Sequence, residues 1–161
     1  MRKRIGMMIV CLLSLTGCSF EVQADYMMKC DYYNKDAEGE KTFIALFTYV
    51  SETGETITGK IDQSYKGFEK NEVNNYVLTD MAIRNSALDG IDGIEIKVLR
   101  EDTSFEGHEE WTYRDVDIDS IIHVDEIQKE MIDTNERFYS KSMIQKYFQE
   151  NGYTCSMSEI S

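Results

Sequence analysis

Three extended segments precede the first helical pattern in this 161-residue chain, and they constrain the fold more than any other feature. Residues 26–33 and 42–50 are rich in aromatic and other apolar residues, and residues 55–66 alternate between apolar and polar side chains. Polar turns at 34–40 and 51–54 separate the segments, which is typical of hairpins. The second segment is apolar on both faces, and this predicts an interior position in the sheet.

Helical and extended patterns follow each other less regularly in the rest of the chain. Apolar side chains spaced by three or four residues predict a helix over about 69–87. After it we predict strands at 94–98 and 110–118, a helix at 122–132 with Ile127 and Met131 inward, a helix that Ser140 caps and Asn151-Gly152 stops, and a strand at 153–158. The order β-β-β-α-β-β-α-α-β is not a strict βαβ alternation, so it predicts an α+β domain with an antiparallel sheet.

The first 18 residues have the pattern of a bacterial lipoprotein signal. Three basic residues at 2–4 precede an uncharged apolar run at 5–15. At about 1.5 Å per residue, this run is too short to span about 30 Å of hydrocarbon. It ends in the lipobox Leu15-Thr16-Gly17-Cys18, in which small residues precede a cysteine.

We therefore expect residues 1–17 to be cleaved and Cys18 to carry lipid, because a cysteine thiolate is the nucleophile that can be alkylated. Residues 18–25 would form the lipidated N-terminus and a short tether. Residues 26–161 would form a single domain at the extracytoplasmic face of the cell membrane. The alternative is an ordinary secretory signal that is cleaved elsewhere, near Ala24.

The charge balance excludes some classes of partner. Three of the 17 basic residues lie in the signal, so the mature chain keeps 14 against 30 acidic residues, a formal charge of −16. A chain this acidic is not expected to bind nucleic acid or to hold an anionic membrane surface by electrostatics. The charge is compatible with a basic partner or a cation, or with a solvated surface that only maintains solubility.

Two cysteines remain in the mature domain, because Cys11 lies in the signal and Cys18 would carry the lipid. Cys30 and Cys155 fall in the first and last predicted strands, and export would place them where disulfides persist. If these strands are neighbours, both thiols point into one core and can form a disulfide. Two buried free thiols that act as small hydrophobic side chains are the alternative.

An acidic stretch after residue 114 resembles a calcium-binding loop. Asp115, Asp117, Asp119 and Glu126 occupy positions 1, 3, 5 and 12 of such a loop. However, Ser120 stands at position 6, where the loop needs glycine, and the preceding segment has a strand pattern. We therefore predict no metal site and expect these carboxylates at the wet face and end of a strand, with Ca²⁺ binding as the alternative.

No residue spacing marks a catalytic site. His108 and His123 are the two histidines, and neither belongs to a zinc-protease motif. The sequence contains no C-x-x-C pair, glycine-rich phosphate loop or nucleophile elbow. We therefore predict neither an enzyme nor a cofactor. The ten tyrosines either fill the core or line a ligand groove.

The chain resembles the YehR-like family of small bacterial lipoproteins over about residues 26–158. The likeness rests on the lipobox, the strands at 42–50 and 56–65, the segment Gly90-Ile91-Asp92-Gly93-Ile94-Glu95, the strand at 111–118, and a last helix that Ser140 opens and Asn151-Gly152-Tyr153 closes. This resemblance implies a two-layer fold with helices on one face of the sheet. It implies no activity, and Cys18 is the functional residue it carries over.

These patterns together predict a non-catalytic, membrane-anchored interaction or accessory module of the cell envelope. Its partner would be an envelope protein or a small ligand that is contacted without covalent chemistry. The alternative is a lipoprotein that binds a small ligand or a cation through its acidic surface.

Overall fold

Six antiparallel strands form one sheet that involves both ends of the domain. The computed structural model describes residues 23–71, 75, 79, 82–88 and 90–160. The strands of this sheet are β1 (Tyr26–Lys35), β2 (Glu40–Tyr49), β3 (Thr56–Lys66), β4 (Ile94–Arg100), β5 (Ser104–Thr112) and β8 (Thr154–Glu159). Their spatial order is β4-β5-β3-β2-β1-β8. Strand β2 is therefore interior, as its two apolar faces predict.

The described residues also include four helices and a small hairpin. The helices are α1 (Ala82–Leu88), α2 (Ile118–Val124), α3 (Glu126–Lys129) and α4 (Lys141–Glu150). The hairpin pairs β6 (Ile132–Asp133) with β7 (Phe138–Tyr139), and sequence patterns did not predict it. None of the described helices is long and apolar enough to span a membrane.

The core lies between the helices and one face of the sheet. On that face, Met28, Phe47 and Trp111 are at most 2% exposed. They belong to one buried cluster with side chains of the helices, among them Leu88, Ile121, Ile144 and Phe148. The fold is thus the predicted α+β arrangement. The opposite face of the sheet carries polar and half-exposed side chains, as is common for antiparallel sheets.

The fifth strand was predicted at the wrong place. It spans Ser104–Thr112 rather than 110–118, and its register pairs it with β3 on one side and β4 on the other. Beyond it the chain turns, and the Asp115 amide donates to the Thr112 carbonyl at 2.9 Å. The alternating apolar residues at 116–118 imitate a strand. The carboxylate of Asp117, which accepts from the Asp119 amide, caps a helix there instead.

The prediction of one helix over residues 122–132 is also wrong. Helices α2 and α3 share this region, and Asp125 ends the first and caps the second. Because the backbone of Asp125 is extended, the helical periodicity is interrupted there. Ile127 is consequently 41% exposed rather than inward, whereas Met131 is buried as predicted. The last predicted helix is confirmed as α4. Ser140 occupies its N-cap position, although its hydroxyl contacts Ser142 rather than the helix backbone.

The helix predicted at 69–87 is described only in part. Its C-terminal turns are α1, and Gly90, with φ of +79°, follows the helix in the left-handed conformation that suits glycine. The apolar positions at 73, 76, 77 and 81 lie outside the described residues. Residues 70, 71 and 75 are helical.

The first and last strands are joined covalently. Strand β8 pairs with β1, and Cys155 lies directly opposite Cys30. The two residues form a disulfide whose sequence separation is 125 residues. The predicted pairing is confirmed, and the two ends of the domain are fixed at one edge of the sheet.

Candidate binding groove

A buried ion cluster lies between helix α1 and the sheet. The side chain of Glu109 on strand β5 is completely buried. It accepts hydrogen bonds from Arg84 of α1 and, at 3.1 Å, from the indole N–H of Trp111. The Nε atom of Arg84 also donates to a carboxylate oxygen of Asp125 at 3.3 Å. Arg84 thus connects α1 both to the sheet and to the corner between α2 and α3.

The alternation of strand β5 places Glu109 in this position. Phe105, Glu109 and Trp111 point to the helix face, which leaves the carboxylate of Glu109 among apolar side chains. Asp125 is fixed in a different way, because the same carboxylate accepts from the amides of Ile127 and Gln128 at the start of α3. The cap therefore orients the acid that Arg84 contacts.

Burial and charge oppose each other in this cluster. Burial would lower the pKa of Arg84, but the carboxylates of Glu109 and Asp125 outweigh burial and raise this pKa above its usual value. Burial also raises the pKa of Glu109, while the Arg84 guanidinium and the Trp111 indole limit that rise. Arg84 is therefore a fixed positive charge, and its presence determines whether Glu109 can remain ionised.

A groove of about 470 Å³ opens directly over the Arg84–Asp125 pair. Three of its lining residues are apolar yet exposed, namely Ile83 at 65%, Val124 at 45% and Ile127 at 41%. Exposed apolar side chains that cluster at the rim of a cavity are typical of a binding site. The groove is lined by Gln63, Tyr65, Thr79, Ile83, Arg84, Ala87, Phe105, Val124, Asp125, Glu126 and Ile127.

The lining of the groove is net negative. Asp125 and Glu126 contribute two carboxylates against the single guanidinium of Arg84, and the carboxylate of Glu109 lies behind it. The half-exposed aromatic ring of Tyr65 also belongs to the lining, and an aromatic face attracts cations. A positively charged group with an apolar neighbourhood therefore matches this groove better than an anion does.

A second cleft of about 290 Å³ lies beside the groove at the far end of the same sheet face. We call it the aromatic cleft, because five of its seven lining residues are aromatic. The seven lining residues are Tyr32, Lys41, Phe43, Tyr65, Tyr147, Asn151 and Tyr153. All five rings are half-exposed, and burial raises the pKa of the Tyr153 hydroxyl to about 12. The tyrosines thus both fill the core and line an open surface.

The acidic residues of the calcium-loop alternative have separate roles. Asp117 caps α2, and Asp119 pairs with Arg137 at 2.9 Å. Glu126 lies in the first turn of α3 and lines the groove, whereas Asp115 is exposed in the turn after β5. Within the described ranges, no three carboxylate, imidazole or thiol side chains are grouped so that they could hold a metal ion.

The two histidines lie apart from the groove. His108 is on the opposite face of the sheet, where its Nδ1 atom is 2.7 Å from a carboxylate oxygen of Asp62 on the neighbouring strand. His123 lies in the last turn of α2 and is exposed. The predicted lipobox Leu15-Thr16-Gly17 and the lipid-bearing Cys18 lie outside the described residues.

Sequence patterns missed Arg84, Glu109 and Asp125 as a group. A signal for two of them was present, because Arg84 falls on the apolar face of the predicted helix and Glu109 alternates in phase with Trp111. A charged residue at an inward position needs a partner. The pattern could not identify that partner, because the residues lie far apart in sequence.

The sequence profile of a protein family described as a domain of unknown function (DUF8824) matches residues 18–161. The chain belongs to the DUF8824 family. No curated protein of known function matches it in sequence. The match of this DUF8824 chain covers the whole described domain and begins at Cys18.

Two solved structures are similar to the DUF8824 chain. The NMR structure of the E. coli YehR protein is 11% identical, with a TM-score of 0.54, and the similarity covers 83% of this chain and 91% of that one. An NMR structure of a protein from Streptococcus pneumoniae TIGR4 is 13% identical, with a TM-score of 0.46, over 97% and 98% of the two chains. The likeness to YehR agrees with the fold that the sequence resemblance implied.

Proposed function

We propose that the DUF8824 chain is a non-catalytic, lipid-anchored module at the extracytoplasmic face of the cell membrane. Its groove would bind a cationic group with apolar surroundings, presented by another protein of the envelope. The observation that carries this proposal is the groove itself. An exposed apolar rim at Ile83, Val124 and Ile127 surrounds a net negative floor above a buried ion cluster.

The signal pattern and the position of the domain support the anchor. The family match begins at Cys18, the residue that the lipobox makes the first of the mature chain. Asp25 already belongs to the fold, because its carboxylate accepts from the Ser51 amide at 2.7 Å. The seven residue steps from Cys18 to Asp25 span at most about 25 Å. The groove would therefore stay close to the bilayer and to proteins within it.

Electrostatics support a cationic rather than an anionic ligand. The mature chain has a formal charge of −16, so its electrostatic field attracts basic partners before any contact forms. In the groove, the exposed carboxylate of Glu126 would pair with the cation, and the rim residues would cover its apolar neighbours. Asp125, which already contacts Arg84 and the start of α3, would add negative charge without direct contact. A basic side chain beside apolar residues of a protein has this chemistry.

A free small ligand is the second candidate. The groove volume of about 470 Å³ falls within the usual range of small-molecule pockets. An organic amine would satisfy the same charge and apolar requirements as a basic side chain. The two candidates therefore share one site and differ in the source of the cation.

Binding of a cation can be measured through Trp111, the single tryptophan of the chain. The Trp111 indole contacts Glu109, and Glu109 contacts Arg84. A ligand in the groove should therefore change the fluorescence of Trp111. We expect the full-length protein in neutral detergent to respond to n-butylammonium and not to butyrate. Ile127→Lys should abolish the response. Leu99→Lys, at a residue that is 61% exposed on strand β4, should preserve it. An equal response to both ions would refute the proposal.

The cellular partner can be tested from the same two positions. A photoreactive phenylalanine derivative at Ile127 should cross-link to a defined envelope protein, and the same group at Leu99 should not. Adding n-butylammonium should reduce the cross-link from Ile127. If the cross-links from both positions are identical, the groove is not the interface. Cys18→Ala should release the protein from the membrane fraction, and persistent attachment would contradict the anchor.

A further inference from the structure

One residue belongs to both depressions on the helix face of the sheet. Tyr65 of strand β3 lines the groove and the aromatic cleft. Its ring centroid is 5.2 Å from that of Phe105 in the groove and 5.2 Å from that of Phe43 in the cleft. Phe43 in turn is 5.6 Å from Tyr32 on strand β1. A continuous series of aromatic rings therefore crosses four strands and joins the two depressions.

The strand order gives this aromatic series its length. Tyr32 is the register partner of Phe43, and Tyr65 is the register partner of Phe105. The series thus runs across β1, β2, β3 and β5, which are consecutive in the sheet. Neighbouring strands are about 4.8 Å apart, so three steps span about 14 Å. This length corresponds to four or five residues of an extended peptide.

The two depressions that the aromatic series joins differ in charge. Asp125 and Glu126 make the groove net negative, whereas the aromatic cleft contains Lys41 and no acidic residue among its lining residues. The ammonium of Lys41 lies 5.4 Å from the centroid of the Phe68 ring, beside the cleft. A ligand with one positive end would therefore bind in a single orientation, with that end in the groove and an uncharged end in the cleft.

We propose that the groove and the aromatic cleft form one extended site for a peptide segment that carries a basic residue and, about four residues away, an aromatic residue. The basic side chain would lie against the exposed carboxylate of Glu126, and the aromatic side chain would lie among Tyr32, Phe43 and Tyr65. This inference rests on the proposed function and adds the chemical class and length of the bound segment.

A peptide fits these features better than a saccharide does. Rings that meet edge to face, as Phe43 and Tyr65 do at 83°, can accommodate a further aromatic ring in the same manner. The apolar rim at Ile83 and Ile127 would cover aliphatic side chains between the two anchoring residues. A neutral glycan would bring no positive charge to the net negative lining of the groove.

The probe is a capped pentapeptide with lysine and phenylalanine at its two ends and serine and threonine between them, made in both orders. Binding to the full-length protein in neutral detergent is followed by the fluorescence of Trp111. We expect one order to bind at least about fivefold more tightly than the peptide in which serine replaces phenylalanine. Replacing phenylalanine with a second lysine should also weaken binding, because the positive charge of Lys41 in the aromatic cleft would repel that lysine.

Two adjacent tyrosines on strand β1 provide matched variants. Tyr32→Ala should lower the affinity for the lysine–phenylalanine peptide about fivefold and leave the response to n-butylammonium unchanged. Tyr33→Ala, on the opposite face and 61% exposed, should change neither. Equal peptide affinities in the two variants would overturn the extended site, even if n-butylammonium still binds. If n-butylammonium fails to bind, the proposed function itself fails.

Neutral chitotetraose tests the competing class of ligand. We expect no fluorescence response to this saccharide in either the unmodified protein or the Tyr32→Ala variant. A saturable response that Tyr32→Ala abolishes, together with no binding of the pentapeptides, would assign the aromatic cleft to glycans and overturn the inference.

Discussion

The guanidinium of Arg84 donates a hydrogen bond to Glu109, whose side chain has no exposed surface. This contact joins helix α1 to strand β5 of the sheet, behind the groove. The stability of the domain and the chemistry of the groove therefore depend on the same pair of charges. A change in either residue should affect both.

Removal of the positive partner should strongly destabilise the domain. Arg84→Met leaves the Glu109 carboxylate buried without its cation, and breaking a buried pair in this way costs about 3–5 kcal/mol. Urea unfolding measures the loss as a lower transition midpoint. Lys97→Met removes an exposed cation on the outer face, with 69% of the side chain exposed, and should change the midpoint little. Equal effects of the two variants would show that the buried pair has no special role.

The pH dependence of Arg84→Met provides a second test of this pair. Burial already raises the pKa of Glu109, and without the guanidinium that pKa should rise further. A raised folded-state pKa means that the folded state binds the proton more tightly than the unfolded state. The variant should therefore regain stability as pH falls from 7 towards 4.5, and lose it again as pH rises through the raised pKa. Unfolding midpoints that change with pH as in the unmodified protein would contradict this.

The disulfide should contribute a large part of the stability. The bridge between Cys30 and Cys155 closes a loop with a sequence separation of 125 residues, and a loop of this size is worth about 4–5 kcal/mol in the chain-entropy model. Reduction, or the double change Cys30→Ala and Cys155→Ala, should lower the unfolding midpoint accordingly. Thiol titration of the denatured, non-reduced protein checks the premise, because a free Cys30 and Cys155 would both react.

Acid should weaken the attachment of the N-terminal segment to the sheet. Hydrogen bonds from the side chain and backbone of Ser51 lower the pKa of Asp25. The resulting stabilisation is complete above the unfolded-state pKa and is lost as pH falls through the folded-state pKa. Asp25→Asn and Ser51→Ala should both reduce the acid dependence of the unfolding midpoint below about pH 4. If the unfolding midpoints of both variants fall with decreasing pH as steeply as that of the unmodified protein, the role given to the Asp25–Ser51 contact is wrong.

Gly59 is required by the packing of Tyr113. A Cβ atom at residue 59 would lie 2.7 Å from the Tyr113 hydroxyl oxygen and 2.8 Å from its Cε2 atom. The ring cannot move easily, because it is stacked on Trp111 and lies 4.2 Å, centroid to centroid, from Tyr139. Gly59→Ala should therefore cost about 1–3 kcal/mol. Adding Tyr113→Phe should recover part of that loss, and no recovery would indicate a backbone effect instead.

The local elements could be predicted wherever one periodicity was unambiguous. Strands β1 to β4 and helix α4 were correct within a few residues, because alternation and a 3.6-residue period separate clearly there. The prediction failed at 110–132, where alternating residues continue past Thr112. The chain turns at that point, because Asp117 and Asp125 cap two short helices. A cap is a local hydrogen bond, and a short apolar alternation does not exclude it.

The sequence alone determined the fold class and the acidic character of the surface, because they follow from periodicity and composition, and it identified Cys30 and Cys155 as the candidate pair. The pairing itself needed strands β1 and β8 to be neighbours, which the tertiary structure decided. The tertiary structure decided which residues form the groove. Arg84, Glu109 and Asp125 come from a helix, a strand and a helix cap, and they meet because the helices pack on one face of the sheet. Likewise, Tyr65 can line both the groove and the aromatic cleft only because strand order places it between them. Such contacts depend on which elements become neighbours in space, and a one-dimensional pattern does not contain that information.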